Sequence, residues 1–234
     1  MASSADGVRL IAAPDTGSAY KSTDSGATWA VTGSGTKFWK AVACSSDCMK
    51  IVAIDLSYNL ITSSDFGATW PQRVTGRYWT GVASNSDGTK LVASCATEAN
   101  DDGTYVGAIF ISDNSGVTWT AKGSNLAYSA VATSDDGNKL VAALASGKIY
   151  TSTDRGATWA ERGVSKAWKS VTSSSDGTVL AAVASSGGLY TSSDSGVTWT
   201  ERDSTARNYA SIASSSDGSK LYGAVAQGYI YARE

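Results

Sequence analysis

A period of about forty residues runs through this 234-residue chain, and no other feature restricts its fold so tightly. Two signatures carry the period. The first is Ser-x-Asp-x-Gly-x-Thr-Trp, found at Ser22–Trp29, Ser63–Trp70, Ser152–Trp159 and Ser192–Trp199, with a variant at Ser112–Trp119 that has Asn114 in the aspartate position. The second is an aromatic followed by a Val/Ile-Ala or Val/Ile-Thr step, a Ser/Asp/Gly turn and a Leu-Val-Ala-like run. It starts at Trp39, Trp79, Tyr128, Trp168 and Tyr209, and its tail alone opens the chain at Ser3–Ala12. The turn aspartates Asp6, Asp47, Asp87, Asp136, Asp176 and Asp217 are spaced 41, 40, 49, 40 and 41 residues apart, the long interval holding an insertion at Thr97–Thr104. All eight tryptophans fall at two repeat positions, which composition alone does not produce.

Each period supplies four short strand candidates, a to d: aromatic-x-x-Val-Ala, Leu-Val-Ala (Leu140–Ala142), Ile-Tyr-Thr-Ser (Ile149–Ser152), and a strand opening at Thr-Trp (Thr158–Trp159). Tight Asp/Gly turns join a to b and c to d, which favours antiparallel hairpins. Four-stranded antiparallel units repeated radially are a β-propeller. The expectation is therefore an all-β β-propeller, one domain over 1–234, with six blades. The first blade lacks its inner strand and the last its outer one. The alternative is five closed blades with a b–c pair left over, which requires residues 209–213 to pair with 9–13. Open edges on incomplete blades invite self-association.

In the first signature the aspartate can accept backbone N–H groups and fix the turn, glycine supplies the backbone freedom, and tryptophan packs between neighbouring sheets. Asn114 can keep the acceptor without the charge. One carboxylate per turn is a poor cation site. These turns resemble the Asp-box, or BNR, repeat family, and the resemblance covers nearly the whole chain. It implies that each box joins the third and fourth strands of a blade, that the box is structural, and that activity lies on other loops. The family includes sialidases and photosystem II assembly propellers, so the resemblance leaves the activity open.

The residues argue against catalysis. The sialidase branch implies an Arg-Ile-Pro-like motif, an arginine triad and a tyrosine–glutamate pair; the prolines here are Pro14 and Pro71, and neither follows such a motif. The glutamates are Glu98, Glu161, Glu201 and Glu234, and ten of seventeen aspartates sit in the repeated turns, where a glycosidase needs two placed carboxyls. There is no histidine to act as general base or to partner a serine. With no histidine and three cysteines, neither a metal site nor a cofactor is expected. A net charge of −2 gives no electrostatic footprint for nucleic acid, and no run of eighteen apolar residues suggests membrane insertion. Met1 runs straight into repeat sequence, so the chain reads as a mature or excised segment without a leader. Cys44 and Cys48 flank one a–b turn, with Cys48 where other units have Gly88, Gly137, Gly177 or Gly218. A disulfide there points to an oxidising, extracellular or cell-surface setting.

A non-catalytic binding propeller for a glycan, an acidic ligand or an acidic peptide is the leading functional expectation. The alternatives are a structural or assembly domain of a larger secreted or surface protein, and a sialidase-like hydrolase whose motifs are missing. The expected site is the face carrying the d–a and b–c loops. Four of five units have a basic residue two positions before the strand-a aromatic: Lys37 before Trp39, Arg77 before Trp79, Lys166 before Trp168 and Arg207 before Tyr209; Leu126 breaks the pattern before Tyr128. Spacing by two puts each cation beside its aromatic, near the mouth of the central channel. Either the aliphatic stems cover the rings, or the cations and rings form a partial ring of donors. Phe38 and Tyr78 add stacking surface in the first two of these units. Glu98, Asp101 and Asp102 in the insertion read as a solvated loop or as a specificity loop on the same face.

Overall fold

A computed structural model describes residues 1–96, 107–185, 187–205 and 207–233. The fold is an all-β, six-bladed β-propeller, with the blades following one another along the chain. Blade 1 is β1 (Ala2–Ser3), β2 (Leu10–Ala12), β3 (Tyr20–Ser22) and β4 (Ala30–Val31). Blade 2 is β5 (Trp39–Cys44), β6 (Ile51–Asp55), β7 (Leu60–Ser63) and β8 (Gln72–Val74). Blade 3 is β9 (Trp79–Ser84), β10 (Leu91–Cys95), β11 (Ala108–Ser112) and β12 (Thr120–Lys122). Blade 4 is β13 (Tyr128–Thr133), β14 (Leu140–Leu144), β15 (Gly147–Ser152) and β16 (Ala160–Lys166). Blade 5 is β17 (Trp168–Ser173), β18 (Leu180–Ala184), β19 (Leu189–Ser192) and β20 (Thr200–Asp203). Blade 6 holds β21 (Tyr209–Ser214), β22 (Leu221–Val225) and β23 (Ile230–Arg233). The chain divides into two compact units, Met1–Ala121 and Lys122–Glu234.

The six-blade expectation holds, with one correction. Blade 1 has an inner strand, short as it is: Ala2 pairs with Ile11 and Ser3 with Leu10. Two residues lacking the Trp-x-x-Val pattern gave no periodic signal to read. Blade 6 has three strands among the described residues, and residues 209–214 pair with 221–225, not with 9–13. The insertion at Thr97–Thr104 lies outside the described residues.

Strand b is buried along its length in blades 2 to 5, which is why it reads as a continuous apolar run rather than an alternation. In blade 2 both faces of this strand meet a neighbouring blade, Val52 and Ile54 packing with Trp79 and Leu91 of blade 3, and Ile51 and Ala53 with Ile11 of blade 1. The c–d turns use one hydrogen-bond set. In the first, Gly26 N donates to Ser22 Oγ at 2.9 Å and Ser22 Oγ to Asp24 at 2.7 Å. Thr28 donates to Asp24 through N at 2.8 Å and Oγ1 at 2.5 Å, and Trp29 Nε1 to Gly26 O at 3.0 Å. Asn114 keeps the acceptor, taking Thr118 N at 2.9 Å, and turns its amide to Thr118 Oγ1. The a–b turns use a related set: Arg9 N donates to Ser4 Oγ, and Ser4 Oγ to Asp6. Within a blade the two turns are joined by backbone, as Phe66 N to Met49 O and Ser195 N to Thr178 O. Successive a–b turns are also tied, Ala5 to Ser46 to Ser86 in the first unit and Asp135 to Ser175 to Ser216 in the second.

Between blades the fit is close. A methyl on Gly116 would stand 2.6 Å from Thr62 Cγ2 of the preceding blade, and one on Gly196 2.6 Å from Thr151 Cγ2. An indole follows: Trp199 of blade 5 covers Gly163 of blade 4. Cys44 and Cys48 are joined as a disulfide with Cα atoms 5.0 Å apart, and Cys48 takes the glycine's left-handed conformation at φ 56°.

Two predictions follow from these turns. Asp24, Asp65, Asp154 and Asp194 are held down to about 2, first by the threonine hydroxyl and then by the threonine amide. A carboxyl whose folded value lies below its unfolded value of about 3.9 contributes stability above that pH and loses it on acidification. Stability against chemical denaturation should therefore fall as pH drops from about 4 towards 2, and replacing these four aspartates with asparagine should flatten the dependence. A steep profile surviving in that variant would place the acid sensitivity elsewhere. Gly116→Ala should cost about 1–3 kcal/mol more than Gly7→Ala, because both glycines have positive φ but a methyl on Gly7 meets nothing. Equal losses in paired unfolding curves would mean that backbone conformation, not blade contact, fixes the glycine.

Candidate functional site

The strand-a aromatics are core. Trp39 is 4% exposed and Trp79, Trp168 and Tyr209 are each 2% exposed. Trp39 Nε1 donates to Gly17 O at 2.9 Å and Trp168 Nε1 to Gly147 O at 3.0 Å, while Tyr209 Oη donates to Asp203 at 2.7 Å. Trp79 Nε1 has no acceptor among the described residues. None of the four presents a ring face to a ligand, so as a stacking surface they are withdrawn. The strand-a ring packs edge-on against a strand-c aromatic of its own blade: Trp79 on Phe110 and Trp168 on Tyr190, both at 5.2 Å. The small strand-b residue between them, Ala93 or Ala182, permits that contact.

The basic residues reach those strand-c rings instead. Arg77 lies 4.8 Å over Phe110, Lys166 5.7 Å over Tyr190 and Arg207 4.2 Å over Tyr231. Blade 2 has Ile61 at this strand-c position, and Lys37 turns to Asp55 at 3.9 Å. Arg207 is also paired with Asp203. All four cations are half-buried and already engaged. The two-residue spacing thus finds a real repeat position, but its partner is two strands away in the sheet. That cross-sheet register cannot be read from neighbours in sequence.

Within the first unit, a different group of side chains faces outward. The b–c turn of blade 2 is fixed by the buried Asp55 carboxylate, which accepts Ser57 N at 2.9 Å, Asn59 N at 3.0 Å and Asn59 Nδ2 at 3.0 Å. This drives Tyr58 to φ 66°, unusual for a residue with a large side chain. It leaves Leu56 and Tyr58 exposed at the turn. Leu56 N donates to Phe38 O at 2.7 Å, placing the turn against the d–a loop. Tyr58 and Tyr78 rings lie 6.0 Å apart, and Lys40 Nζ sits 4.9 Å over Tyr78. Phe38 is 52% exposed, Tyr58 47% and Tyr78 42%. Phe38 and Tyr78 were expected as added stacking surface; Leu56, Tyr58 and Lys40 were not singled out. The available signal was that the b–c turns of blades 4, 5 and 6 read Ala145-Ser146-Gly147, Ser185-Ser186-Gly187 and Ala226-Gln227-Gly228, whereas blade 2 spends two large apolar residues there.

Among the described residues no group of histidine, cysteine, aspartate and glutamate could hold a metal ion, and no helix is long and apolar enough to cross a membrane. Glu161 is bound to Lys148 at 2.6 Å and to Tyr150 Oη at 3.0 Å, which hold its carboxyl below the ordinary range.

No family model matches the chain, and no curated protein matches it. Among solved structures the chain is similar in fold to one described as YCF48 bound to D1 peptide. The match has a TM-score of 0.64 and 16% identity, covering 98% of this chain and 75% of that chain. At that identity the likeness establishes the propeller fold.

The packing roles predict a split between ring and cation. Trp168→Ala should destabilise by about 3–5 kcal/mol, and Lys166→Gln by about 1 kcal/mol or less. Comparable losses in urea titrations would mean that the lysine belongs to the core.

Proposed function

We propose that the chain is a non-catalytic binding or assembly propeller of the Asp-box type, and that it takes an acidic peptide on the d–a and b–c loops of its first unit. The observation that carries this reading is the exposed cluster of Phe38, Leu56, Tyr58 and Tyr78, with the Lys40 ammonium over the Tyr78 ring. Aromatic side chains left in water on a loop turn contribute nothing to the core, and with cations beside them they suit an apolar segment bearing carboxylates. The Asp55 hydrogen bonds hold the turn in one conformation, so little ordering cost remains for binding. A propeller of similar fold whose description names a bound peptide supports the partner class. The carboxylates of the c–d turns are occupied by their own threonines, consistent with a structural and not a catalytic use.

A screen of acidic peptides and acidic glycans against the whole chain tests this. Peptide binding should fall about tenfold or more in Tyr78→Ala, and Lys40→Gln should lower the affinity and weaken its salt dependence. Ligands that bind unchanged in both variants would remove this surface from the reading. Binding of glycans in place of peptides would keep the surface and replace the ligand class.

A further inference from the structure

In blades 1, 4 and 5 the loop that leaves strand d is pinned to a glycine of that blade's own b–c turn. Gly17 N donates to Lys37 O at 3.0 Å and Lys37 N to Gly17 O at 3.0 Å, Gly147 pairs with Lys166, and Gly187 N donates to Arg207 O at 3.1 Å. The indole that opens the next blade joins two of these pins: Trp39 Nε1 donates to Gly17 O at 2.9 Å and Trp168 Nε1 to Gly147 O at 3.0 Å. The three glycines hold φ at 122°, 147° and 96°, backbone that a side chain disfavours.

Blade 2 breaks this pattern inside the first unit. Tyr58 stands at the register position of Gly147, since Leu60 lies opposite Ile54 as Ile149 lies opposite Ala143. Held at φ 66° in a turn fixed by Asp55, Tyr58 makes no backbone bond to Arg77 among the described residues, although Arg77 is the equivalent of Lys37, Lys166 and Arg207. Trp79 Nε1, in a side chain 2% exposed, is left without an acceptor, at the full desolvation cost of the donor. The missing pin coincides with the exposed aromatics. Tyr78 lies between Arg77 and Trp79 in the chain, and its ring is 6.0 Å from that of Tyr58. The blade thus gives up stability at the turn that presents its large side chains to solvent, a pattern that accompanies binding sites.

We infer that this gap is a subsite for a glycine of the bound peptide, an inference that rests on the acidic-peptide reading above and names the residue that the surface selects. The glycine takes the part that Gly17 plays in blade 1. Its carbonyl accepts Arg77 N and Trp79 Nε1, and its N–H donates to Arg77 O, which already takes Trp79 N at 2.8 Å and keeps a second lone pair. Entry moves the Tyr58 ring, which is 47% exposed, and the Tyr58 and Tyr78 rings then flank the peptide on either side of the glycine. Glycine is selected because the pin uses backbone with positive φ, and the peptide bond is selected because the buried indole needs an acceptor. The chain itself shows a segment of this kind: Ala-Pro-Asp-Thr-Gly-Ser-Ala, residues 13–19, seats Gly17 against Lys37 and Trp39 and carries a carboxylate two residues earlier.

The test uses the whole chain and two synthetic peptides, the sequence of residues 13–19 and the same sequence with alanine in place of its glycine. Calorimetry should show saturable binding of the glycine peptide and binding of the alanine peptide weaker by about tenfold or more. In nitrogen-15 spectra the Trp79 indole resonance, assigned by its loss in Trp79→Phe, should move downfield as the glycine peptide saturates the wild-type chain. Trp79→Phe should weaken the glycine peptide about fivefold and leave the alanine peptide unchanged, a non-additivity that a general loss of stability does not produce. Tyr78→Ala should weaken both peptides. Equal affinity for the two peptides, or an indole resonance that stays in place at saturation, overturns the glycine subsite; if Tyr78→Ala still weakens both, the aromatic surface stands as the peptide site. Binding of both peptides that is indifferent to Tyr78→Ala overturns the subsite and the surface together. No binding of either peptide at millimolar concentration overturns the subsite and leaves the surface to the wider screen of acidic peptides.

Discussion

The hydrogen-bonded c–d turn is the interaction on which the rest of the molecule depends. A serine hydroxyl accepts the glycine amide, an aspartate or asparagine accepts the threonine amide, and in blades 3 and 5 the glycine is thereby held where a side chain would collide with the preceding blade. The tryptophan three residues on is carried into the same seam and tied back to the glycine carbonyl in four of the five turns. Local hydrogen bonds thus set a long-range contact, because the position of one backbone atom decides how near the next sheet can come.

This arrangement gives the two ends of each blade different work. The a–b and c–d turns lie together, joined within a blade and tied along each unit by backbone hydrogen bonds. Side chains there are occupied and sequence is repetitive. The d–a and b–c connections carry fewer obligations, and there the blades diverge: an Ala-Ser-Gly turn in blade 4 against Leu56 and Tyr58 in blade 2. Variation at that end changes surface chemistry without disturbing the seams, which is why a binding reading starts from those loops.

The basic positions illustrate how far periodicity reaches. Lys37, Arg77, Lys166 and Arg207 are equivalent in sequence, and the fold gives three of them equivalent partners, the aromatic at one position of strand c. Lys37 departs because Ile61 offers no ring, and it turns to a carboxylate. The same repeat that marked these residues mispaired them. Adjacency two residues along the chain pointed to the strand-a rings, whereas those rings turn inward and the cations lie over rings brought close by strand pairing.

The sequence by itself determined the blade unit and its turns, because each follows from local chemistry repeated at a fixed period: Asp–Gly turns, a buried strand b, a tryptophan after each turn; it favoured six blades over five, and strand pairing decided between them. It also marked Cys44 and Cys48 as partners through their four-residue spacing across a hairpin. Tertiary structure alone decided which aromatics are core and which are surface. Trp79 and Tyr78 are adjacent and chemically alike, yet one is 2% exposed and the other 42%. The difference comes from sheet pleat and from a turn held by Asp55. It decided, too, that Ala2–Ser3 forms a strand, since two residues have no periodicity and exist as a strand only because Leu10 and Ile11 are there to pair with them. Pairing and burial are properties of what lies opposite in space, and a single chain read in order does not list its opposites.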